Sequence, residues 1–268
     1  MRTQGEEREI AALQSDQPFN RLPLVDLHTH VLPGVDDGAR DDEESLRMLR
    51  IAEEEGIAVV AATPHAHRCR ADRVVPAVER LNARARDAGL GVHVIPGIEA
   101  RYTTGLPDRL AAGDLLTLNG GRHLLLELYL SGPWPGSLLD TIAAFHAMDV
   151  RPVLAHAERY PDVQRDPALV LDVIAAGVPV QINAESLAGR VGKGAQAAAE
   201  YLIAHHMAHL LASDAHDARA HAPRLRSAFD RAAELAGEDY ARFMVATAAS
   251  IARGEPLTLP EPVDTPGR

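Results

Sequence analysis

The chain alternates short apolar runs with amphipathic helical patterns along most of its length, and this alternation restricts its fold more than any other feature. Runs rich in Val, Ile, Leu and Ala, bounded by polar or turn residues, are typical of buried β-strands. Strands that alternate with helices predict a parallel sheet covered by helices. The seven predicted strands are 24–28, 57–63, 92–97, 123–128, 151–156, 178–183 and 208–213.

The first predicted helix has clear signals at both ends. Asp41 is the predicted N-cap, Glu44 follows three residues later, and Gly56 is placed to end the helix. Leu46 and Leu49 fall on one face, as expected for a helix with one buried side. The other helical patterns cover 74–89, 137–148, 167–177, 194–206, 222–237 and 238–254.

One α/β domain accounts for the length and composition. The 268 residues are 46% hydrophobic but only 4% aromatic, which favours an aliphatic core of strands under alanine-rich helices. We expect a flexible N-terminal arm over residues 1–20, a single domain over 21–254 and a C-terminal tail over 255–268. Periodicity alone leaves open an open doubly wound sheet or a closed, distorted barrel.

Charge and cysteine content exclude several classes of protein. The net charge of −11 argues against a general nucleic-acid binder, which needs a basic face. Cys69 is the single cysteine, so no disulfide framework can form within the chain. No run reaches the length of a transmembrane helix, and the first 20 residues contain no apolar signal core. We therefore expect a cytoplasmic protein that does not insert into a membrane.

Histidine and acidic residues lie at the carboxyl ends of six of the seven predicted strands. In parallel α/β architectures these ends converge on one edge, where functional sites form. His28 and His30 are two residues apart, so they share one side of an extended segment, and the same holds for Asp214 and His216. Nitrogen and carboxylate ligands without thiolates suit Mn²⁺, Fe²⁺ or Zn²⁺. The sequence therefore predicts a metal site at this edge.

Each of these residues also has a purely structural interpretation. Glu127 could be a paired structural carboxylate, and Asp214 could cap the following helix. Their combined occurrence favours the metal site, because a carboxylate within an apolar run is costly to bury unless it is paired or metal-bound. His67 and His221 are candidates for the substrate side of the site. The histidines predicted to lie away from it are His93, His123, His146, His205, His206 and His209.

Six motifs follow one another between about residue 24 and residue 230. They are DLHTHVLPGVDDGA (26–39), ATPH (62–65), PGIE (96–99), LLLEL (124–128), LAHAERY (154–160) and LASDAH (211–216). With these motifs the chain resembles the polymerase-and-histidinol-phosphatase (PHP) superfamily. Within it, the chain is most similar to the bacterial manganese-dependent protein-tyrosine phosphatases associated with capsule and exopolysaccharide synthesis. Many metallohydrolases share DLHTH, whereas its combination with GVDDGA, HAERY and SDAH is much more specific.

The resemblance implies a distorted, TIM-like (β/α)₇ barrel of the PHP fold with three divalent metal ions. Mn²⁺ is the expected metal, and Fe, Zn, Co or Mg are alternatives. Glu99 matches a bridging carboxylate, and Asp37 rather than its neighbour Asp36 matches a ligand. Arg159 and Arg219 match phosphate-binding arginines, Arg159 within the clearer motif. The matching ligand positions are His28, His30, Asp37, His65, Glu99, Glu127, His156, Asp214 and His216.

The implied activity is hydrolysis of a phosphomonoester, most specifically phosphotyrosine. The implied partner is a phosphotyrosine protein, such as a bacterial tyrosine kinase in polysaccharide synthesis. In the mechanism we hypothesise, hydroxide generated at the metal centre attacks phosphorus in line, while the metals and Arg159 hold the phosphate oxygens. A cysteine-dependent tyrosine phosphatase is excluded, because it needs Cys-x₅-Arg and the residue six beyond Cys69 is Val75.

Three other functions compete with this hypothesis. The nearest is a histidinol-phosphate or other small-molecule phosphatase of the PHP superfamily. A phosphodiesterase or exonuclease is disfavoured by the acidic charge and by the lack of a basic stripe with interleaved aromatic residues. A non-catalytic metal-binding regulatory module is disfavoured because the full proposed ligand set is present. The SGPWPG segment (131–136) departs from the family pattern and bears on substrate choice.

Overall fold

The computed structural model describes residues 17–265, so the expected arm and tail lie partly outside the described residues. Eight short strands alternate with helices along this part of the chain. The strands are β1 (Leu24–Thr29), β2 (Ile57–Ala62), β3 (His93–Pro96), β4 (Glu99–Arg101), β5 (His123–Glu127), β6 (Arg151–Leu154), β7 (Gln181–Asn183) and β8 (Leu210–Ala212).

The α-helices occupy the connections between the strands and the segment after the last strand. They are α1 (Asp42–Glu54), α2 (Ala71–Asp87), α3 (Leu106–Ala111), α4 (Leu138–Ala147), α5 (Pro161–Arg165), α6 (Val170–Ala175), α7 (Ala184–Leu187), α8 (Lys193–Ala204), α9 (Arg226–Ala236) and α10 (Glu238–Arg253). The predicted helical patterns all correspond to helices. The short helices α3, α5 and α7 were not predicted.

The predicted caps of α1 are confirmed. The Asp41 carboxylate accepts a hydrogen bond from the Glu44 backbone N–H at 2.8 Å, which satisfies one of the free donors at the start of the helix. Glu55 is the C-cap, and Gly56 follows with a left-handed φ of 78°. Glycine adopts this conformation without the steric cost that a Cβ would add.

The strands form three parallel sheets rather than one closed ladder, so the expected closed barrel is not seen. The sheets are β1-β2-β3, β4-β5-β6 and β7-β8. Single bridges are found at three junctions, Thr29 to Ala215, His65 to Glu99 and Leu154 to Val180. Two junctions coincide with left-handed backbone, at His156 after β6 (φ 32°) and at Asp214 after β8 (φ 54°). Such bends turn backbone donors and acceptors out of a ladder, which explains the interruptions.

The predicted strand over 92–97 corresponds to β3, and the unpredicted strand β4 follows it, which raises the number from seven to eight. β3 ends at Pro96 and the chain bends through Gly97 before β4 begins at Glu99. A Cβ on Gly97 would lie 2.7 Å from Leu118 Cδ2, so a larger residue would have to displace the buried Leu118 side chain. The bend turns Glu99 away from the line of β3.

The core is aliphatic, as the composition predicts. All six residues of β1 are buried, as are all five of β5. Helix α10 packs against β1 and β8. Within residues 17–265, no helix combines the length and the apolar character needed to cross a bilayer.

Candidate metal centre

The structure brings together all nine residues predicted as metal ligands. His28 belongs to β1, Glu99 begins β4 and Glu127 ends β5, whereas the other six lie in loops that follow strands. Their ligand atoms form four overlapping groups, each within 4.8 Å. The groups are His30, Asp37, His65 and His216; His28, His156 and Asp214; His28, His30 and Glu99; and His65, Glu99 and Glu127.

Several atoms at the centre of these groups are buried and lack a hydrogen-bond partner of good geometry. They include His28 Nε2, His30 Nε2, His65 Nδ1 and Glu99 Oε2. A buried polar atom without a partner costs free energy, and a cation removes that cost by accepting its lone pair. These imidazole nitrogens and carboxylate oxygens therefore fit divalent cations such as Mn²⁺, Fe²⁺ or Zn²⁺.

Glu99 lies among four histidines, and its two oxygens face different pairs of them. Oε1 is 3.3 Å from His28 Nε2 and 3.2 Å from His156 Nε2. Oε2 is 2.5 Å from His65 Nδ1 and 3.7 Å from His30 Nε2. A carboxylate in this arrangement can offer one oxygen to each of two neighbouring cations.

The electrostatics of the centre depend on compensation between buried imidazoles and carboxylates. Burial opposes the charge of His28, but attraction by Asp214 and Glu99 outweighs it and raises the His28 pKa to about 9. Burial likewise opposes the charges of Glu99 and Asp214, yet the histidines hold both carboxyl pKa values well below their usual range. The carboxylates are therefore ionised and attract positive charge, whether it comes from protons or from metal ions.

The two adjacent acids of the GVDDGA motif occupy different positions. Asp36 Oδ2 lies 2.6 Å from His30 Nδ1 and accepts the His65 backbone N–H at 3.1 Å. Asp36 therefore orients His30 and leaves Nε2 of that ring for the centre. Asp37 is 43% exposed, and its Oδ1 lies 3.4 Å from His65 Nε2. Of the two acids, Asp37 is the one that joins a candidate metal group.

An open cavity of about 630 Å³ adjoins the centre at Asp37, Asp214 and His216. The Arg159 guanidinium is partly buried, and its Nη1 donates to Asp214 Oδ2 at 3.0 Å. Arg219 is exposed at the same cavity. Both predicted phosphate-binding arginines therefore lie beside the candidate metal groups. The four arginines that line the cavity are Arg40, Arg159, Arg190 and Arg219.

Sequence reasoning missed three polar residues that hold the ligands. Gln181 and Asn183 on β7 face the centre, and Arg101 on β4 donates from Nε to Glu127 Oε2 at 2.8 Å. A signal for them existed. Gln181 and Asn183 alternate within an apolar run and therefore share a face, and Arg101 is two residues beyond Glu99.

The histidines predicted to lie elsewhere belong to none of the candidate metal groups within the described residues. Burial lowers the pKa of His209 to about 3 and that of His123 to about 4, so both rings are neutral. The two substrate-side candidates do lie near the centre. The His67 ring is 5.0 Å from the ring of His65, and His221 lines the cavity with its Nδ1 2.8 Å from Glu185 Oε2.

Comparison with known proteins gives matches over most of the chain. A family model described as capsular polysaccharide synthesis, CpsB/CapC, matches residues 24–252. Tyrosine-protein phosphatase YwqE of Bacillus subtilis (strain 168) is 32% identical over 203 residues, covering 73% of this chain and 78% of that protein. Tyrosine-protein phosphatase CpsB of Streptococcus pneumoniae is 24% identical over 228 residues, covering 82% of this chain and 93% of that protein.

The fold is also similar to a crystal structure from work on YwqE of Bacillus subtilis and CpsB of Streptococcus pneumoniae, described there as unique metal-dependent tyrosine phosphatases. The TM-score is 0.85 at 29% sequence identity, and the match covers 90% of this chain and 100% of that chain. The family model, the relatives and the similar structure each match most of the chain. The chain therefore belongs to the CpsB/CapC family of capsular polysaccharide synthesis.

Proposed function

We propose that this chain is a metal-dependent protein-tyrosine phosphatase that acts on a phosphotyrosine protein, specifically a bacterial tyrosine kinase or related phosphoprotein of polysaccharide synthesis. One observation carries the proposal: nine histidine and carboxylate residues converge beside a cavity lined by four arginines. Relatives in the same family are tyrosine-protein phosphatases, which supports phosphotyrosine as the substrate.

We assign the nine converging residues as ligands of three divalent metal ions, with Mn²⁺ as the expected metal. The four overlapping groups and the position of Glu99 among four histidines support this assignment. When bound, such ions supply Lewis-acid chemistry, which activates water and neutralises charge on a phosphate. The ligands are His28, His30, Asp37, His65, Glu99, Glu127, His156, Asp214 and His216.

Arg159 and Arg219 bind the phosphate oxygens in this proposal. The bond from Arg159 Nη1 to Asp214 Oδ2 anchors the guanidinium beside the centre. A guanidinium has five N–H donors in a planar fork, so the remaining donors can pair with a phosphate. Arg219, which is exposed at the same cavity three residues beyond His216, approaches the substrate from solvent.

We further propose that the eight strands represent a distorted (β/α)₇ barrel within a single domain over 21–254, between an arm (1–20) and a tail (255–268). In this interpretation β3 and β4 are two halves of one strand bent at Gly97. The single bridges from Leu154 to Val180 and from Thr29 to Ala215 support a circular order of strands.

A substrate comparison tests the proposed activity. The Mn²⁺-loaded protein is given phosphotyrosine peptides, phosphoserine peptides and histidinol phosphate. We expect kcat/KM for phosphotyrosine to exceed that for histidinol phosphate by at least about tenfold, about 1.4 kcal/mol of differential transition-state binding. A preference for histidinol phosphate would contradict the proposed substrate. Failure to hydrolyse any of the phosphoesters would favour a non-catalytic metal-binding module.

A further inference from the structure

Strand β7 carries none of the nine proposed ligands, yet two of its side chains connect three of them. Gln181 Oε1 accepts the His156 backbone N–H at 3.1 Å and lies 3.2 Å from His28 Nδ1. Gln181 Nε2 donates to Asn183 Oδ1 at 2.7 Å, and Asn183 Nδ2 donates to Asp214 Oδ2 at 2.9 Å. Both amides are buried. His28, His156 and Asp214 together form one of the candidate metal groups.

A single backbone N–H determines the direction of every hydrogen bond in this network. Because the His156 N–H can only donate, the Gln181 atom that it contacts is the oxygen. His28 Nδ1 faces the same oxygen and must therefore carry a proton, which leaves Nε2 as the ligand atom. The Gln181 nitrogen then donates to Asn183 Oδ1, so the Asn183 nitrogen faces Asp214.

The network also gives the two oxygens of Asp214 different roles. Oδ2 accepts from Asn183 Nδ2 at 2.9 Å and from Arg159 Nη1 at 3.0 Å. Oδ1 instead lies 3.3 Å from His28 Nε2 and 3.3 Å from His30 Nε2. Since two donors occupy Oδ2, Oδ1 is the atom that remains for a cation.

We propose that Gln181 and Asn183 are positioning residues for the metal position formed by His28, His156 and Asp214. They do not contact the cation. Gln181 fixes the proton on His28 Nδ1 and holds the His156 backbone, and Asn183 directs Asp214 to bind through one oxygen. This inference rests on the proposed metal centre, and partners of this kind in other metal sites strengthen metal binding.

The test measures Mn²⁺ affinity, by competition with a fluorescent chelator, in variants that keep side-chain size but remove the amide. Gln181→Met and Asn183→Leu should each weaken at least one Mn²⁺-binding step by about 10- to 100-fold. Asn82→Leu is the matched control, because Asn82 is also a buried amide and exchanges two hydrogen bonds with the Val94 backbone, between α2 and β3. This control should lose stability but keep wild-type Mn²⁺ affinity.

The double variant provides a readout that a general loss of packing would not give. Because Gln181 donates to Asn183, removing both amides should weaken Mn²⁺ binding by less than the product of the two single effects. Circular dichroism of the metal-free proteins verifies that each variant folds, and Asn183→Ser replaces the leucine variant if that one does not.

Two results would overturn the proposal. One is a folded Gln181 or Asn183 variant with the same Mn²⁺ affinity as Asn82→Leu. The other is a wild-type protein that binds no Mn²⁺, which would also remove the proposed function. A wild-type protein that binds Mn²⁺ but does not hydrolyse phosphotyrosine would refute the proposed function alone, and the affinity comparison would still decide the role of the two amides.

Discussion

Two of the proposed ligands in the centre have an unusual backbone conformation. His156 and Asp214 both adopt positive φ angles, 32° and 54°. A non-glycine residue in this region costs of the order of 1–3 kcal/mol, although Asp and His are among the residues that adopt it most often. This conformation is maintained because β6 and β8 fix the chain just before the two residues and because both side chains have polar contacts in the centre, His156 with Glu99 and Asp214 with Arg159 and Asn183. Strained backbone therefore coincides with the residues that the proposed chemistry requires.

A substitution of Arg159 tests the proposed contact between this residue and the phosphate. Arg159→Lys keeps the positive charge. The lysine ammonium, however, lacks the planar guanidinium donors that could bond Asp214 and the phosphate at the same time. We expect kcat/KM for phosphotyrosine peptides to fall about 10- to 100-fold, as for the loss of a charged hydrogen bond worth about 1.5–3 kcal/mol. Arg165→Lys is the control, because Arg165 is 76% exposed and pairs with Asp162 on the surface. Equal kcat/KM values for both variants would remove Arg159 from the substrate site.

Some residues of the centre were predicted from the sequence, whereas Gln181 and Asn183 were not. Imidazole and carboxylate groups are common metal ligands, so the nine candidate positions could be predicted from motifs in the sequence. Gln181 and Asn183 carry amides, which are not diagnostic of any function. Their role depends on contacts with residues 25 to 153 positions away along the chain. Those contacts exist only after β7 takes its place in the fold.

Among the elements, the loop between β1 and α1 brings the first acids into the centre. The loop folds back on the end of β1, because the Ala39 N–H donates to the His30 carbonyl oxygen at 2.9 Å. Gly38 lies against the same backbone, and a Cβ there would be 1.9 Å from that oxygen. Only glycine fits at this contact, and the contact places Asp36 and Asp37 beside His30.

Gly38→Ala therefore tests whether the loop geometry is required. The added methyl group must push the loop away from His30, which would separate Asp36 from the His30 ring and displace Asp37. We expect weaker Mn²⁺ binding and at least a tenfold loss of kcat, with a stability cost of about 1–3 kcal/mol. Gly105→Ala is the control, because a Cβ at Gly105 meets no atom within 4 Å and the Gly105 backbone has an ordinary φ of −87°. Wild-type Mn²⁺ affinity and kcat in Gly38→Ala would contradict this role of the loop.

The longer helices and the strands within apolar runs were predictable, including the three-residue strands β7 and β8, whereas β4 and the shortest helices were not. The caps of α1 were predictable because Asp41 and Gly56 are residue types that commonly begin and end helices. β4 has three residues, two of them charged, and lacks any apolar pattern that could identify it. Helices α5 and α7 have five and four residues, too few for a recognisable period. The interruptions between the sheets arise from tertiary bends at the site itself, which local patterns do not encode.

In the whole molecule the paired strands all run parallel, which explains why candidate ligands from residue 28 to residue 216 of the chain can meet. Most of the strands end at the same edge, and the candidate ligands come from those strand ends and the loops that follow them. The chain is acidic overall, with a net charge of −11, and its cavity is lined by four arginines together with five carboxylates, Asp37, Glu44, Glu185, Asp214 and Asp217. When bound, the proposed cations would offset these carboxylates and, together with the arginines, make the local field attractive to a phosphate.

The central claim is that phosphotyrosine hydrolysis depends on metal held by these ligands. The most direct measurement follows hydrolysis of a phosphotyrosine peptide in wild-type protein, in protein stripped by a chelator, and in stripped protein given Mn²⁺, with metal content determined on each sample. His28→Ala and Glu99→Ala, verified as folded, are measured with added Mn²⁺. We predict that activity disappears on stripping, returns with Mn²⁺ and is absent in both variants. Full turnover by protein without measurable metal, or near-normal turnover by either variant, would contradict the account.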